Sequence, residues 1–147
     1  MDTSRVTLGD KIVAGAAIAL IVDLAFLPWH QVFSFGSTAL DPPGGWWGTL
    51  ALLLSLAIVG LTAIRRFTTL SLPVLPRPIG EVNLAATVVV LALLLLKLAL
   101  DSDYLGVGAY AGTVLAGVMV AGASLGKDET DEAPPVGSGR GAPPTPF

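Results

Sequence analysis

Asp23 and Lys97 stand well inside long apolar runs, five residues before Pro28 and four before Asp101. An acidic or basic residue in such a run is costly: at the centre of a membrane helix it opposes insertion by about 2.5–3.5 kcal/mol, whereas each large apolar residue returns roughly 0.3–0.6 kcal/mol. With a rise of about 1.5 Å per helical residue, the two charges lie roughly 6 to 8 Å from the same end of their runs. Matching depth and opposite sign predict an ion pair between Asp23 and Lys97. Two chemistries are open to it. The pair can fix the register of two helices, or it can form part of a proton or ion route that Asn83 and Thr87 extend along the third run. Against the pair stands a local alternative, in which Lys97 snorkels outward or bonds with Asp101 one turn on.

No other constellation carries clear chemistry. His30 is the single histidine, and with Asp41, Asp101 and Asp103 it is the candidate for an outward carboxylate cluster. A hard cation needs several converging oxygens, which spacing alone does not supply. The chain has no cysteine, which excludes disulfides and thiolate ligation. It contains no His-x-x-x-His pair, nucleophile elbow or phosphate-cradling glycine loop. The expectation is therefore no catalytic residue, no cofactor, no metal and no enzyme activity. With 8 Lys and Arg against 11 Asp and Glu, there is no basic surface for nucleic acid.

The elements that must position these residues follow from composition. Of the 147 residues 53% are hydrophobic and 13% charged, where a soluble domain carries about 25% charged residues. Apolar runs over 12–27, 46–64, 82–100 and 104–125 are each about a bilayer in length. In hydrocarbon the backbone must bond to itself, so the runs are helices. The fold class is all-α: a four-helix transmembrane bundle over residues 1–126, followed by an acidic, Pro- and Gly-rich tail, 127–147, expected to be disordered. Pro28 ends the first helix, Gly44 and Gly45 precede the second, and Pro73, Pro76 and Pro78 separate the second from the third. Glu81 in the first turn of the third helix suits its dipole.

Except for Lys97, the basic residues (Arg5, Lys11, Arg65, Arg66, Arg77, Lys127 and Arg140) fall at the amino terminus, between the second and third runs, or in the tail. The positive-inside rule places both termini in the cytoplasm and segments 30–45 and 101–103 outside. Trp29, Trp46, Trp47 and Tyr104 are expected to anchor the outer interface. Asp23 shares a helix face with Ile12, Ala16 and Ala19, and Lys97 with Asn83, Ala86 and Val90. Gly108, Gly112 and Gly122 lie on one stripe of the fourth helix with Leu115, Met119 and Gly126, predicting close approach of a helix from the same bundle or from a second copy.

The order of features resembles a group of uncharacterised small four-helix membrane proteins of actinobacterial type. The resemblance rests on Gly9-Asp10-Lys11-Ile12, Phe26-Leu27-Pro28-Trp29, a Trp opening the second helix, a basic residue before Asp101, and the glycine-rich fourth helix. That group typically has Arg where this chain has Lys97, and often an acidic residue where this chain has Gly48-Thr49. The resemblance implies a multi-pass protein of the bacterial plasma membrane and no particular activity. The expected role is structural or accessory, through contacts with lipid, a second copy or another membrane protein. The alternative is a small oligomeric transporter or channel using Asp23 and Lys97.

Overall fold

The computed structural model describes residues 7–32, 35–42, 44–67 and 79–131. In chain order they form α1 (Leu8–Phe26), β1 (His30–Val32), β2 (Phe35–Ser37), α2 (Gly45–Phe67), α3 (Ile79–Leu100) and α4 (Val107–Asp131).

Each helix begins and ends for a local reason. Thr7 caps α1: its hydroxyl accepts from the Asp10 N–H at 3.2 Å, and the Asp10 carboxylate accepts from the Thr7 N–H at 3.4 Å. This reciprocal box satisfies two otherwise orphaned donors and starts α1 four residues before the apolar run at Ile12. At its other end Leu27, held extended by the following Pro28, still donates its N–H to the Asp23 carbonyl at 3.0 Å. Gly44 precedes α2 with a φ of 72°, a conformation that favours glycine. The fourth helix starts at Val107 rather than Tyr104, because residues 101–106 turn and pair with the strand segment. It continues to Asp131, so the first five residues of the expected tail are helical; the remainder lies outside the described residues, as do Pro73, Pro76 and Pro78.

The helices form an antiparallel ring in which α1 packs on α2 and α4, and α3 packs on α2 and α4. One end gathers Gly9, Gly126 and the Glu81–Lys127 ion pair at 4.0 Å. The other gathers Trp29, Gly44, Asp101 and Gly106. Val13, Ala17, Leu20 and Leu24 of α1 meet Val90 and Leu94 of α3 and Ala116 and Met119 of α4 in a fully buried core.

Outward faces are aliphatic all round the ring: Ile18 and Val22, Leu53 and Leu56, Val88 and Val89, Val114 and Val118 are exposed. Three helical segments, Gly45–Ile64, Ile79–Leu100 and Val107–Lys127, are long and apolar enough to cross a membrane. The first helix has 19 residues and contains Asp10, Lys11 and Asp23.

The expectation of helices alone needs one correction. β1 and β2 pair antiparallel, in the register His30↔Ser37, Gln31↔Gly36, Val32↔Phe35. On its other edge β1 is fastened to the segment leading into α4, through Gln31 N–H to the Tyr104 carbonyl and Gly106 N–H to the Trp29 carbonyl, both 2.8 Å. A hairpin alone is marginal; pairing on both edges holds β1 as a lid across one end of the bundle.

Candidate functional site

Beneath that lid Asp23 is 2% exposed and Trp29 1% exposed. The Trp29 indole Nε1–H donates to Asp23 Oδ2 at 3.1 Å. The indole is fixed because its own backbone is held on both sides, the N–H by the Ser37 carbonyl at 2.8 Å and the carbonyl by the Gly106 N–H. Trp29 thus turns inward instead of anchoring the outer interface: the chain reverses at Pro28 and the hairpin folds the ring under itself.

The fourth helix leaves room for this pair. A Cβ on Gly112 would stand 2.5 Å from Asp23 Oδ2 and 2.7 Å from Trp29 Cζ2, and one on Gly108 would stand 2.9 Å from Trp29 Cδ1. Two glycines four residues apart therefore form the slot that admits carboxylate and indole. Further along, Gly122 faces Ile12 and Val13, and Gly126 lies beside Gly9. The glycine stripe is occupied by α1 of the same chain over its length. Of the small residues expected beside Asp23, Ala16 is buried and Ala19 exposed.

Lys97 is 1% exposed, on the inward face that also carries Thr87, Val90 and Leu94. Its Nζ lies 3.4 Å from Asp101 Oδ2 on the next turn. The geometry therefore sets the Asp23 carboxylate against the indole and the Lys97 ammonium against Asp101. In the ring α1 and α3 occupy opposite corners, each packing on α2 and α4. Asp101 Oδ2 also lies against Gly44, tying the end of α3 to the start of α2.

Several hydroxyls in the helices bond within their own helix, whereas both ring nitrogens of His30 are buried with no hydrogen-bond partner among the described residues. Ser55 Oγ donates to the Ala51 carbonyl at 2.7 Å, Thr87 Oγ1 to Leu84 at 2.8 Å and Thr113 Oγ1 to Ala109 at 2.7 Å. Thr87 thus bonds to its own backbone and not across helices, and Asn83 is half-buried. Asp23 Oδ1 is likewise buried with no hydrogen-bond partner among the described residues.

Outside the helices, His30, Asp41, Asp101 and Asp103 do not converge: among the described residues no group of three or more His, Cys, Asp or Glu is placed to hold a metal. Asp41 is instead the cap of its own turn, Oδ2 accepting from the Thr38 N–H at 2.7 Å and the Thr38 hydroxyl at 2.9 Å. The backbone bond first, and then the hydroxyl, hold the Asp41 carboxyl below its ordinary 3.8. A carboxyl lowered on folding adds stability that is complete above its unfolded value and is lost as pH falls through the folded one. Below pH 3.8 the Thr38 amide is therefore expected to lose protection, measured as its exchange rate relative to that of an unstructured peptide at the same pH. Protection that stays unchanged through the acid range would show that the turn does not depend on the charge. Trp46 and Trp47 stack with ring centroids 3.8 Å apart at the start of α2, and Trp46 and Tyr104 are exposed at the same end.

The Asp23–Trp29 contact is the feature sequence reasoning missed. Its six-residue spacing spans a proline, so no helical or strand period connects the two residues. The available signal was that Asp23 needed a donor and Trp29 carried one. Comparison with protein-family models, curated proteins and solved structures finds no match.

Proposed function

We propose that this is a multi-pass protein of a bacterial plasma membrane, crossing four times with both termini in the cytoplasm, and that it serves as a structural or accessory subunit. One observation carries the reading: large aliphatic side chains cover the outward face of every helix, while the charges of the spans are turned inward or lie at helix ends. Exposed apolar patches of this extent need an apolar medium or a partner.

The first helix is the test case, because it lies outside the three segments that are long and apolar enough to cross a membrane. Asp10 belongs to the cap, Lys11 lies at the helix start, and Asp23 is buried. What α1 presents outward is Ile18, Val22 and Phe26. Its 19 residues, at about 1.5 Å each, nearly match a hydrocarbon core of about 30 Å. An apolar groove between α2 and α3, lined by Leu50, Leu53, Leu54, Ala57, Val89 and Leu93, faces the same surroundings.

An interior filled by Leu20, Leu24, Val90, Leu94 and Met119, each fully buried, supports the accessory role. Among the described residues the buried hydroxyls of Ser55 and Thr87 donate to carbonyls of their own helices. The absence of native cysteine makes a direct test clean. Asp103→Cys is expected to react with an impermeant maleimide in intact cells, and Arg66→Cys only after permeabilisation; equal reaction at both positions rejects the four crossings. Native purification separates the roles. A stable heteromeric partner supports the accessory reading, whereas a homo-oligomer that conducts ions in liposomes and loses flux in Asp23→Asn replaces it with transport.

A further inference from the structure

Asp23 Oδ1 is the buried oxygen the fold leaves unanswered. A carboxylate offers about four lone-pair positions to donors, and here one donor, the Trp29 indole, reaches it. Oδ2 is covered by Gly112 of α4 and Oδ1 is buried without a partner. An ionised carboxyl in such surroundings needs a counter-charge or further donors, and otherwise the neutral form takes its place.

The charged and titratable groups around it are few. At this end the neighbouring α2 and α4 carry one titratable residue, Tyr110, which is exposed. Across the ring α3 brings Lys97 and Asp101, which pair with each other at 3.4 Å. The lid and its neighbouring turns bring His30, Asp41, Asp103 and Tyr104. Asp41 is bound to Thr38, Asp103 and Tyr104 are exposed, and the His30 ring nitrogens are buried without a hydrogen bond to Asp23 or to any other described group. Chemistry then selects the ligand. A sodium-, potassium- or calcium-sized ion requires a shell of several oxygens, and among the described residues no carboxylates or imidazoles converge to build one. A proton requires a single oxygen.

We propose that Asp23 is a proton-binding site, the proton residing on Oδ1 while Oδ2 accepts from Trp29. The proton supplies the neutralisation that no side chain of α2 or α4 provides, and it lets carboxyl and indole sit together in the Gly108–Gly112 slot. The inference rests on the burial of Asp23 and is independent of how many times the chain crosses a membrane, so cysteine labelling and the present test fail separately.

Infrared difference spectroscopy on the full chain in lipid at neutral pH reads the protonation state directly. Asp23→Asn keeps a side-chain oxygen for the Trp29 N–H and preserves the shape. The wild-type minus Asp23→Asn spectrum is expected to contain a carboxylic-acid carbonyl band that moves to lower frequency in D2O. Asp41→Asn, which removes an exposed carboxylate, is expected to leave that band in place. A subtraction that shows carboxylate stretching bands and no acid band overturns the proposal. If Asp23→Asn does not fold, aspartate labelled with carbon-13 at its side-chain carboxyl decides the matter in the wild type. An acid band that shifts with the label upholds the site, and label shifts confined to carboxylate bands reject it.

Discussion

Gly9→Ala is expected to destabilise the bundle severely, whereas Gly126→Ala, on the other side of the same contact, is expected to be nearly silent. The asymmetry comes from where each missing Cβ would point. At Gly9 it would run into the Gly126 backbone nitrogen and Cα and the Gly122 carbonyl oxygen. These are backbone atoms of a helix and cannot rotate away, so α1 would have to move off α4 as a body. At Gly126 the Cβ would rest 3.7 Å from the Gly9 Cα, an ordinary van der Waals distance. Overpacking of a tight contact costs about 1–3 kcal/mol and sometimes more, and Gly9 belongs at the upper end because the displaced partner is main chain. Gly117→Ala, with nothing within 4 Å of its Cβ, serves as the control for the intrinsic effect of adding a methyl group to α4. Unfolding in detergent, followed by near-ultraviolet dichroism, ranks the three variants. If Gly9→Ala and Gly126→Ala melt together, the close approach of α1 to α4 is wrong.

That contact also shows how far the sequence is legible. Helix existence follows from uninterrupted apolar runs, and α2 and α3 fall within three residues of the expected limits. The glycines of α4 announce a close neighbour, since small residues at helical spacing have little other use in a packed helix. Which neighbour they meet is not encoded in the spacing and depends on ring order. The same gap explains Lys97. Equal depth with Asp23 is a statement about height along the bundle, whereas the Asp101 carboxylate stands one turn from Lys97 on the same side of the chain, 3.4 Å from its Nζ. The hairpin was hidden for a different reason. Its strands are three residues each, too short for alternation to stand out, and their pairing energy comes from Tyr104 and Gly106, some seventy residues later in the chain. The start of α1 was legible and went unread: Thr7-x-x-Asp10 is a capping pattern, and the apolar run drew the boundary to Ile12 instead.

The second large effect is expected at Trp29, and its size should depend on Asp23. The ring is almost completely buried, and removing a buried aromatic side chain to alanine costs about 3–5 kcal/mol. Trp29→Ala is therefore expected to collapse the lid end of the bundle. Trp29→Phe separates the two parts of that cost: it keeps most of the apolar volume and deletes the Nε1–H that donates to Asp23 Oδ2. A buried acceptor stripped of its donor costs about 1–3 kcal/mol, so Trp29→Phe should be clearly destabilising in the wild-type background. In an Asp23→Leu background there is no acceptor to strand, and the same change should cost little beyond the smaller ring. The coupling between the two sites, read as the difference between those costs in thermal or denaturant unfolding, is the net worth of the indole–carboxyl bond. Additive effects at the two positions would mean that Asp23 takes its support from elsewhere, and the lid would then be held by its backbone bonds to Ser37, Tyr104 and Gly106 alone.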